Sequence, residues 1–438
     1  MSRALPEPPE AGALNAIRFG TDTVRYLEGV QARYRDGVSV PIPGRAPLVV
    51  LTNPDLVHEV LAQPDAFRRV PAQSAAALIA ERGLVQSDGP LWRQQRSIMN
   101  PAFDSRQVKA YANEVGRRAS SLADEWADRG AFETNLHRDM TQLTVRVAAE
   151  ILLGEDLGPD RAAQFHEWMQ TAGTEFEFDL TSVAPDWLPD RISPEFREAA
   201  NGIRGLSEDI IDRQRRRVDE GDAEPNMLTM LLRAEDDPDV DYPPNQIRDE
   251  VSTFLIAGHE TTALSLTYTT ALLSWHPEHR ARVREEATAA LDDDPPSHDD
   301  LSSLSYTQRV YREALRLYPP AWAVFRRARQ KVRLGEYRIP EGAAVIMPQW
   351  SIHRSERYFE DPVISPNRTA FFRSLLAGEE GYRVVTEFGP SDPNLQRDAE
   401  ANFERALRLE PPSRNTNNPR IVVMEPTVPA GEGEDCGR

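Results

Sequence analysis

The sequence of 438 residues is long for a single domain, and its 40% of apolar residues are enough to bury a sizeable core. Its 70 acidic residues outnumber 51 basic ones, giving a net charge of −19 with no basic stripe, which excludes nucleic acid as an expected partner. No apolar run reaches about 18 residues, and the N-terminus lacks the pattern of a signal or transit peptide, so we expect no membrane anchor and a cytoplasmic location.

The basic residues are almost all arginine, since Lys109 and Lys331 are the only lysines. A strongly acidic, lysine-poor surface suits a protein that stays soluble in concentrated salt, where screening weakens the repulsion between its charges. This composition predicts a salt-adapted, halophilic microbial source. A GC-rich genome, which also favours arginine over lysine, is the alternative explanation.

The N-terminal region is predicted to pair a helix with a small sheet. A helical apolar pattern runs from Ala13 to about Asp36. Two short apolar runs follow, Val38–Ile42 and Leu48–Leu51, with proline and glycine turn residues between them. Runs of this length around such a turn predict a β-hairpin, and we expect the resulting sheet to be structural.

An aromatic and basic pair marks the next predicted helix, which begins after Asp88. Trp92 and Arg96 are four residues apart, so the indole N–H and the guanidinium project from one helical face. Two donors on one face can hold an anionic group such as a carboxylate. A cation–π contact between the two side chains, made only for packing, is the alternative.

One long helix, predicted from Asn245 to about His276, organises the chain. Asn245 follows two prolines and can cap the helix start with its side chain, and apolar residues then recur at helical spacing. The sequence AGHETT at residues 257–262 interrupts this apolar pattern. Gly258 costs a helix interior ~1 kcal/mol relative to alanine, but it lets a flat or bulky group approach the backbone. A core helix with a polar kink is the alternative.

The segment after this helix supplies a second charged pair. Glu313 and Arg316 lie three residues apart on a helix predicted over residues 306–318, which two prolines end. An exposed pair of this kind stabilises a helix by only ~0.2–0.5 kcal/mol, so its spacing alone indicates little. Two strands with a Pro-Glu-Gly turn between them are predicted over residues 331–339 and 343–347.

Four motifs of this chain resemble those of the cytochrome P-450 family. They are the G-x-x-W-x-x-x-R helix followed by PAF at 101–103, AGHETT at 257–262, the E-x-x-R helix and QWSIHRSERYFEDP at 349–362. The resemblance covers residues 13–368 with the order and spacing of the family. It implies a mainly α fold with small β-sheets, the cytochrome P-450-like fold, with an atypical C-terminal portion.

The family consists of haem-thiolate monooxygenases, so the resemblance implies haem b as cofactor. It also implies a ferredoxin or a similar redox partner as the electron donor, and insertion of oxygen from O2 into a C–H bond of a small apolar substrate. A break in the helical pattern near residues 180–190 corresponds to the family's substrate-access lid. Its aromatic and aliphatic residues agree with an apolar substrate.

The resemblance also assigns a cofactor-binding role to individual residues. These residues are Trp92, Arg96, Ala257, Gly258 and Arg326. The indole of Trp92 and the guanidinium groups of Arg96 and Arg326 would hold the haem propionates. Arg327 is the alternative to Arg326. Gly258 would make room for oxygen and substrate.

Two residues are implied as the catalytic pair, and three as scaffold. Glu260 would connect solvent with the site, and Thr261 would hydrogen-bond the oxygen bound there, because a carboxylate beside a hydroxyl can relay protons. Glu313, Arg316 and Arg368 would lock the core on the haem side without taking part in the chemistry.

The C-terminal part departs from the family pattern, because the loop F-x-x-G-x-x-x-C-x-G that carries the haem-binding cysteine is not found. Phe388 and Gly389 lie where this loop should begin, but Leu395 occupies the place of the cysteine. The only cysteine is Cys436, which excludes a disulfide within the chain and a cysteine-based zinc site. Two acidic neighbours disfavour the thiolate form of Cys436 that a metal needs.

Three explanations of this departure stay open. In the first, residues 369–438 are a foreign segment with a disordered acidic tail, joined to a family domain at 13–368. In the second, the chain is a degenerate member that binds no haem. In the third, Cys436 reaches the iron from the tail. Because these explanations stay open, the sequence does not identify the metal ligand. The alternative to a monooxygenase is therefore a catalytically dead shell, or a hybrid gene product, that does not bind haem.

Overall fold

The structure is a computed structural model that describes residues 3–9, 12–42, 44–70, 74–129, 133–176, 192–291, 295–359 and 421–422. Within these ranges the chain is mainly helical with small β-sheets, which confirms the predicted fold class. No helix in the described part of the chain is long and apolar enough to cross a membrane. The predicted break at 180–190, the boundary at 368/369, Arg368 and Cys436 lie outside the described residues.

Fourteen α-helices make up most of the described chain. In order they are α1 (Gly12–Thr21), α2 (Thr23–Arg33), α3 (Pro54–Leu61), α4 (Ser74–Ala80), α5 (Gly89–Met99), α6 (Ser105–Arg129), α7 (Leu136–Ala148), α8 (Gly158–Phe176), α9 (Pro194–Glu220), α10 (Met227–Glu235), α11 (Gln246–Trp275), α12 (Pro277–Ala290), α13 (Ser305–Leu317) and α14 (Gln349–Ile352). Short 3-10 turns at Asn100–Phe103 and Asp299–Ser303 and a π-helical turn at Ala149–Leu153 connect some of them.

Nine short strands form three small sheets in the described ranges. They are β1 (Gly37–Val40), β2 (Leu48–Leu51), β3 (Phe67–Arg68), β4 (Glu133–Thr134), β5 (Val324–Ala328), β6 (Val332–Leu334), β7 (Tyr337–Ile339), β8 (Ala344–Met347) and β9 (Ile421–Val422). The largest sheet has the strand order β1-β2-β8-β5-β3, with β2 and β8 parallel and its other pairs antiparallel. The pairing of β1 with β2 confirms the predicted hairpin.

The long helix α11 lies in the middle of the helical part, where it packs against α4, α7, α9 and α13. Its 30 residues span about 45 Å at the rise of an α-helix. Buried residues lie on every side of it, as expected for a helix in the core of a large domain. The predicted bounds are confirmed to within one residue at each end.

The start of α11 differs from the prediction. Asn245 has a φ of 66° and its side chain makes no capping hydrogen bond. Asparagine is one of the few residues that tolerate this left-handed conformation, which explains its place before the helix. The first turns of α11 are held instead by two of its own carboxylates: Asp249 accepts the backbone N–H of Arg82 at 3.0 Å, and Glu250 accepts that of Leu84 at 2.9 Å.

An ion network around Arg118 joins α6 to the end of α7. The Arg118 side chain is only 9% exposed. Its Nε lies 2.6 Å from Glu150 Oε2 and 3.1 Å from Glu114 Oε1, and its Nη2 lies 3.0 Å from Asp156 Oδ2. Three carboxylates therefore surround one nearly buried cation, and this network helps to fix α7, the helix that packs along α11.

Candidate active site

The middle of α11 exposes a short face although the helix is otherwise mostly buried. Ala257, Thr261 and Thr262 are exposed, whereas His259 and Ala263 are buried. Ala257 and Thr261 are one turn apart and share a face, and Thr261 Oγ1 donates to the Ala257 carbonyl at 2.9 Å. An exposed stretch halfway along a core helix marks an opening in the interior of the fold, and this opening coincides with the predicted motif.

Two aromatic rings link this opening to the end of α5. Phe254 lies one turn before Ala257 on α11, and its ring stacks on that of Phe103 with 6.3 Å between centroids. Phe103 belongs to the 3-10 turn that follows α5, and it is 47% exposed. The helix that carries Trp92 and Arg96 therefore ends next to the exposed face of α11.

Gly258 lies on a different side of α11, against α7. A Cβ added to Gly258 would meet the Cβ of Ala148 at 2.3 Å, which is closer than two non-bonded carbon atoms can approach. The structure thus gives this glycine a packing role that the sequence did not predict, since it lets α11 and α7 come close together. Its predicted role beside oxygen and substrate stays a prediction.

Replacement of Gly258 by alanine is expected to lower the free energy of unfolding by about 1–3 kcal/mol, the usual cost of overpacking a core. Chemical or thermal unfolding of the variant measures this loss. The double variant Gly258→Ala/Ala148→Gly removes the opposing methyl group and should recover part of it. Gly205→Ala on α9 is the matched control, since a Cβ there meets nothing within 4 Å. If Gly258→Ala has the same free energy of unfolding as the wild type, the close packing of α7 and α11 at this residue is contradicted.

The carboxylate of Glu260 lies between two histidines. Its Oε1 is 3.4 Å from His137 Nε2 on α7, and its Oε2 is 3.3 Å from His259 Nδ1. Burial acts to raise the pKa of Glu260, but the two imidazoles outweigh this effect and hold the pKa well below its usual range. Glu260 is therefore an ionised carboxylate beside Thr261, with 41% of its side chain exposed.

The predicted pair on α5 is in contact, and one of its donors has no acceptor. Asp88 caps the helix by accepting the Gly89 N–H at 2.8 Å. The Arg96 guanidinium lies 5.9 Å from the Trp92 ring, so the cation–π contact left open by the sequence is present. The indole N–H of Trp92 is buried and meets no hydrogen-bond acceptor in the described ranges. Because buried indole N–H groups normally find an acceptor, this donor is available to a further group.

Arg326 lies on β5 beside an arginine that the sequence did not predict. Strand β3 pairs with β5 so that Arg68 is opposite Arg327, and the same register continued by one residue sets Arg69 beside Arg326. Burial lowers the pKa of the Arg69 guanidinium, and the positive charge of Arg326 lowers it further. Arg69 also lies 5.4 Å from the ring of Trp92.

These contacts define an arginine cluster, consisting of Arg69, Arg96 and Arg326. No ion pair between the cluster and a carboxylate is found among the described residues. The carboxylate of Asp88 acts on the charges of Arg69 and Arg326, but it forms its ion pair with Arg329. Arg69 and Arg326 are half-buried and Arg96 is exposed. Like charges that are close together repel each other, most strongly where burial limits screening by water, and an anion placed among them would relieve that repulsion. The cluster therefore has the properties of a binding site for an acidic group.

The E-x-x-R pair is also formed. Arg316 Nε donates to Glu313 Oε2 at 2.8 Å, and its Nη1 donates to the His353 carbonyl at 2.6 Å. The Arg316 side chain is 13% exposed and that of Glu313 is 51% exposed, so only the arginine of the pair is mostly buried. The contact ties α13 to the segment after α14, in line with a scaffold role for this pair.

Two residues near the predicted site were missed by sequence reasoning. Arg69 follows a strand of two residues, so no local pattern marks it, and only the pairing of β3 with β5 brings it to Arg326. His137 stands in the first turn of α7, after the capping Asn135, which is a signal for a helix start and not for chemistry.

The described residues fit the edge of a haem that carries its two propionate groups. The arginine cluster and the unpartnered indole N–H offer donors for carboxylates, and α5 ends at the opening in α11. The iron has no thiolate ligand among the described residues, because the only cysteine, Cys436, lies outside them. Donors that could hold carboxylate groups are thus present, and a thiolate that could bind iron is not among the residues that the structure describes.

Comparison with known proteins gives several extended matches. Residues 6–363 match the family model for cytochrome P-450. Cyclooctatin synthase of Streptomyces melanosporofaciens is 31% identical over 359 residues, which cover 81% of this chain and 76% of the relative. Pentalenene oxygenase of Streptomyces avermitilis is 29% identical over 360 residues, covering 82% of this chain and 78% of that one.

A solved structure is similar in fold. Retinoic-acid-bound cyanobacterial CYP120A1 superposes with a TM-score of 0.68 at 22% identity, covering 84% of this chain and 82% of the other. The family match ends at residue 363, near the boundary predicted at 368. The separate origin of residues 369–438 stays a prediction.

Proposed function

The chain belongs to the cytochrome P-450 family, and from this premise we propose that it binds haem b at the arginine cluster and inserts oxygen into a small apolar molecule. One observation carries the proposal. Arg69 and Arg96, which have no carboxylate partner in the described part of the chain, both lie over the ring of Trp92, whose buried indole N–H has no acceptor there, and the charge of Arg326 acts on Arg69. Bound haem supplies the chemistry of O2, and the protein binds, orients and provides protons.

The proposed roles follow from the positions of the side chains. The arginine cluster and Trp92 hold the propionates by charge-assisted hydrogen bonds. The small side chain of Ala257 leaves the exposed face of α11 accessible to a flat group. Thr261 presents its hydroxyl on that face, and Glu260 stands next to it as the group that passes protons on. Glu313 and Arg316 support the fold by joining α13 to the segment after α14.

The substrate and the electron donor are proposed at the level of chemical class. One relative is named an oxygenase of pentalenene, which supports a small apolar substrate. Electrons would come from a ferredoxin or a similar partner. Because the chain carries a net charge of −19, an acidic ferredoxin would bind better as added salt screens the repulsion. The cytoplasmic location and the salt-adapted source stay predictions.

A carbon monoxide difference spectrum tests the monooxygenase. The purified full-length chain is loaded with haem, reduced and exposed to carbon monoxide. The monooxygenase requires a band near ~450 nm, because only a thiolate ligand gives the electron donation that this chemistry needs, and it therefore requires Cys436 to bind as a thiolate against the effect of its acidic neighbours. Cys436→Ala should abolish the band, since no other cysteine exists. A loaded protein without this band would overturn the monooxygenase.

A second candidate function rests on Leu395, which occupies the place of the family's cysteine. In that case the chain is a non-catalytic shell that binds an apolar ligand in the opening beside Ala257. Such a shell would bind a fluorescent apolar probe without haem, and added haem would not compete with the probe. Competition by haem would favour the first candidate instead.

A further inference from the structure

Two histidines and a glutamate lie together where α11 ends and α12 begins. His276 is the residue between the two helices, and Glu278 and His279 stand in the first turn of α12. Each of the three offers one ligand atom, and these atoms all lie within 4.8 Å of one another. Imidazole nitrogens and carboxylate oxygens are common protein ligands of divalent transition metals. This group, which we call the junction triad, is therefore a candidate metal site.

The distances within the junction triad are close to those that a metal ion requires. His276 Nδ1 lies 3.4 Å from Glu278 Oε1, and His279 Nε2 lies 3.7 Å from the same oxygen. Two ligand atoms that each lie about 2.0–2.2 Å from a tetrahedral Zn²⁺ are about 3.3–3.6 Å apart. Small movements of the exposed Glu278 and His279 side chains are therefore enough to complete the geometry.

The backbone at the junction holds the two histidines near each other before any ion binds. Pro277 follows His276 as the first residue of α12, and its ring fixes φ at a helical value. The His276 carbonyl accepts the backbone N–H of His279 at 3.0 Å, and the two imidazole rings lie 5.7 Å apart between centroids. Because this arrangement is already formed, an ion that binds there loses little free energy to ordering of the chain.

A tyrosine of α13 orients one of the two imidazoles. The hydroxyl oxygen of Tyr306 lies 2.6 Å from His279 Nδ1. When Nδ1 carries the ring proton and donates it to this oxygen, the lone pair of Nε2 is free on the side of Glu278. Histidines that bind metals usually hold their second nitrogen in this way. Tyr306 is held in turn by Glu286 on α12, which accepts its backbone N–H at 2.7 Å.

The charges around the junction triad act in both directions. The N-terminus of α12 is the positive end of the helix dipole and opposes a cation. The guanidinium groups of Arg282 and Arg309 lie over the Tyr306 ring, at 4.1 Å and 5.5 Å from its centroid, so they also add positive charge nearby. Within the described ranges, the ion pairs of Glu278 are those with the two histidines. Its carboxylate is therefore the group that must offset the opposing charges.

We propose that the junction triad binds one divalent transition-metal ion of the Zn²⁺ type through His276 Nδ1, Glu278 Oε1 and His279 Nε2. Two nitrogens and one oxygen suit Zn²⁺ or Cu²⁺ better than Mg²⁺ or Ca²⁺, which prefer oxygen ligands. Glu278 is 63% exposed and His279 is 49% exposed, so water completes the coordination of the ion. The ion joins the end of α11 to the start of α12. It lies about 28 Å along α11 from Ala257, so it is separate from the candidate active site.

Calorimetric titration of the purified full-length chain with Zn²⁺, after metal is removed with a chelator, tests the site. About 0.2 M salt in the buffer screens diffuse binding of cations to the acidic surface. We expect saturation at one Zn²⁺ per chain. His279→Gln and Glu278→Gln should each weaken binding by at least about 100-fold, and Tyr306→Phe, which removes only the orienting oxygen, by about 10-fold. His58→Gln, on the exposed side of α3, is the matched control and should bind as the wild type does. Wild-type affinity in both His276→Gln and His279→Gln would overturn the proposal.

Electron paramagnetic resonance of bound Cu²⁺ identifies the ligands directly. The wild type should show hyperfine coupling to two imidazole nitrogens, and His276→Gln should show coupling to one. Saturating Zn²⁺ should also raise the Tm of the wild type and leave that of the double variant His276→Gln/His279→Gln unchanged, because only the wild type gains free energy from the ion. Circular dichroism of the metal-free variants verifies that they fold. A Cu²⁺ spectrum without nitrogen coupling, or an equal rise in Tm for the double variant, would contradict the junction triad as the site.

Discussion

Arg326→Gln is expected to weaken haem binding by about 10-fold to 100-fold, because each charge-assisted hydrogen bond to a carboxylate contributes ~1.5–3 kcal/mol. Arg326 is half-buried on β5, and its charge acts on Arg69, the residue that follows the end of β3. Glutamine keeps a donor and much of the side-chain volume but removes the charge. Titration of the haem-free protein with haem, followed by absorbance, measures the change in Kd.

Arg327→Gln is the matched control for this experiment. Arg327 is the next residue on the same strand, and successive side chains of a strand point to opposite faces of the sheet. Its substitution should leave the Kd for haem within roughly threefold of the wild type. If Arg327→Gln weakens binding and Arg326→Gln does not, the propionate site lies on the other face of β5 and the assignment of Arg326 is wrong.

Arg118→Leu is expected to lower the free energy of unfolding by about 1–3 kcal/mol, which is less than the loss of a fully buried ion pair because its three carboxylate partners are 24%, 27% and 51% exposed. Leucine leaves Glu114, Glu150 and Asp156 without their shared cation. The repulsion among the three carboxylates is then only partly compensated, since Arg117 still pairs with both glutamates and Arg146 lies 3.7 Å from Asp156. Because the network holds α7, which carries His137 and Ala148, the loss should also weaken the packing of α7 on α11. Urea unfolding monitored by circular dichroism measures it.

The adjacent residue supplies the control for Arg118. Arg117 pairs with the same two glutamates, but its side chain is 51% exposed, so water already solvates its charge. Arg117→Leu should therefore cost within about 1 kcal/mol. Equal destabilisation by the two substitutions would show that burial of Arg118 has no special weight in this network.

The elements that the sequence predicts well are those with a local signal. The apolar period of α11 gives its bounds to within one residue, and the two apolar runs around a proline–glycine turn give β1 and β2. Helical spacing also places two pairs of side chains on one face each, Trp92 with Arg96 and Glu313 with Arg316. Both pairs are in contact in the structure.

What the sequence could not predict depends on which elements become neighbours. The role of Gly258 follows from its contact with Ala148, a residue on another helix. The charge of Glu260 follows from His137, which also comes from α7. Asn245 carries the usual signal of a side-chain cap, yet the prolines before it and the carboxylates after it produce a different helix start. Each of these outcomes requires the packing of α11 against other elements.

Titration of the purified full-length chain with haem decides whether the arginine cluster and Trp92 form a haem site. The result we expect is a sharpened Soret band that saturates at one haem per chain, accompanied by quenching of tryptophan fluorescence. Arg326→Gln should shift this titration to higher haem concentration, and Arg327→Gln should not. A spectrum that stays that of free haem throughout, with unchanged fluorescence, would contradict haem binding and leave a family fold that lacks the family's cofactor.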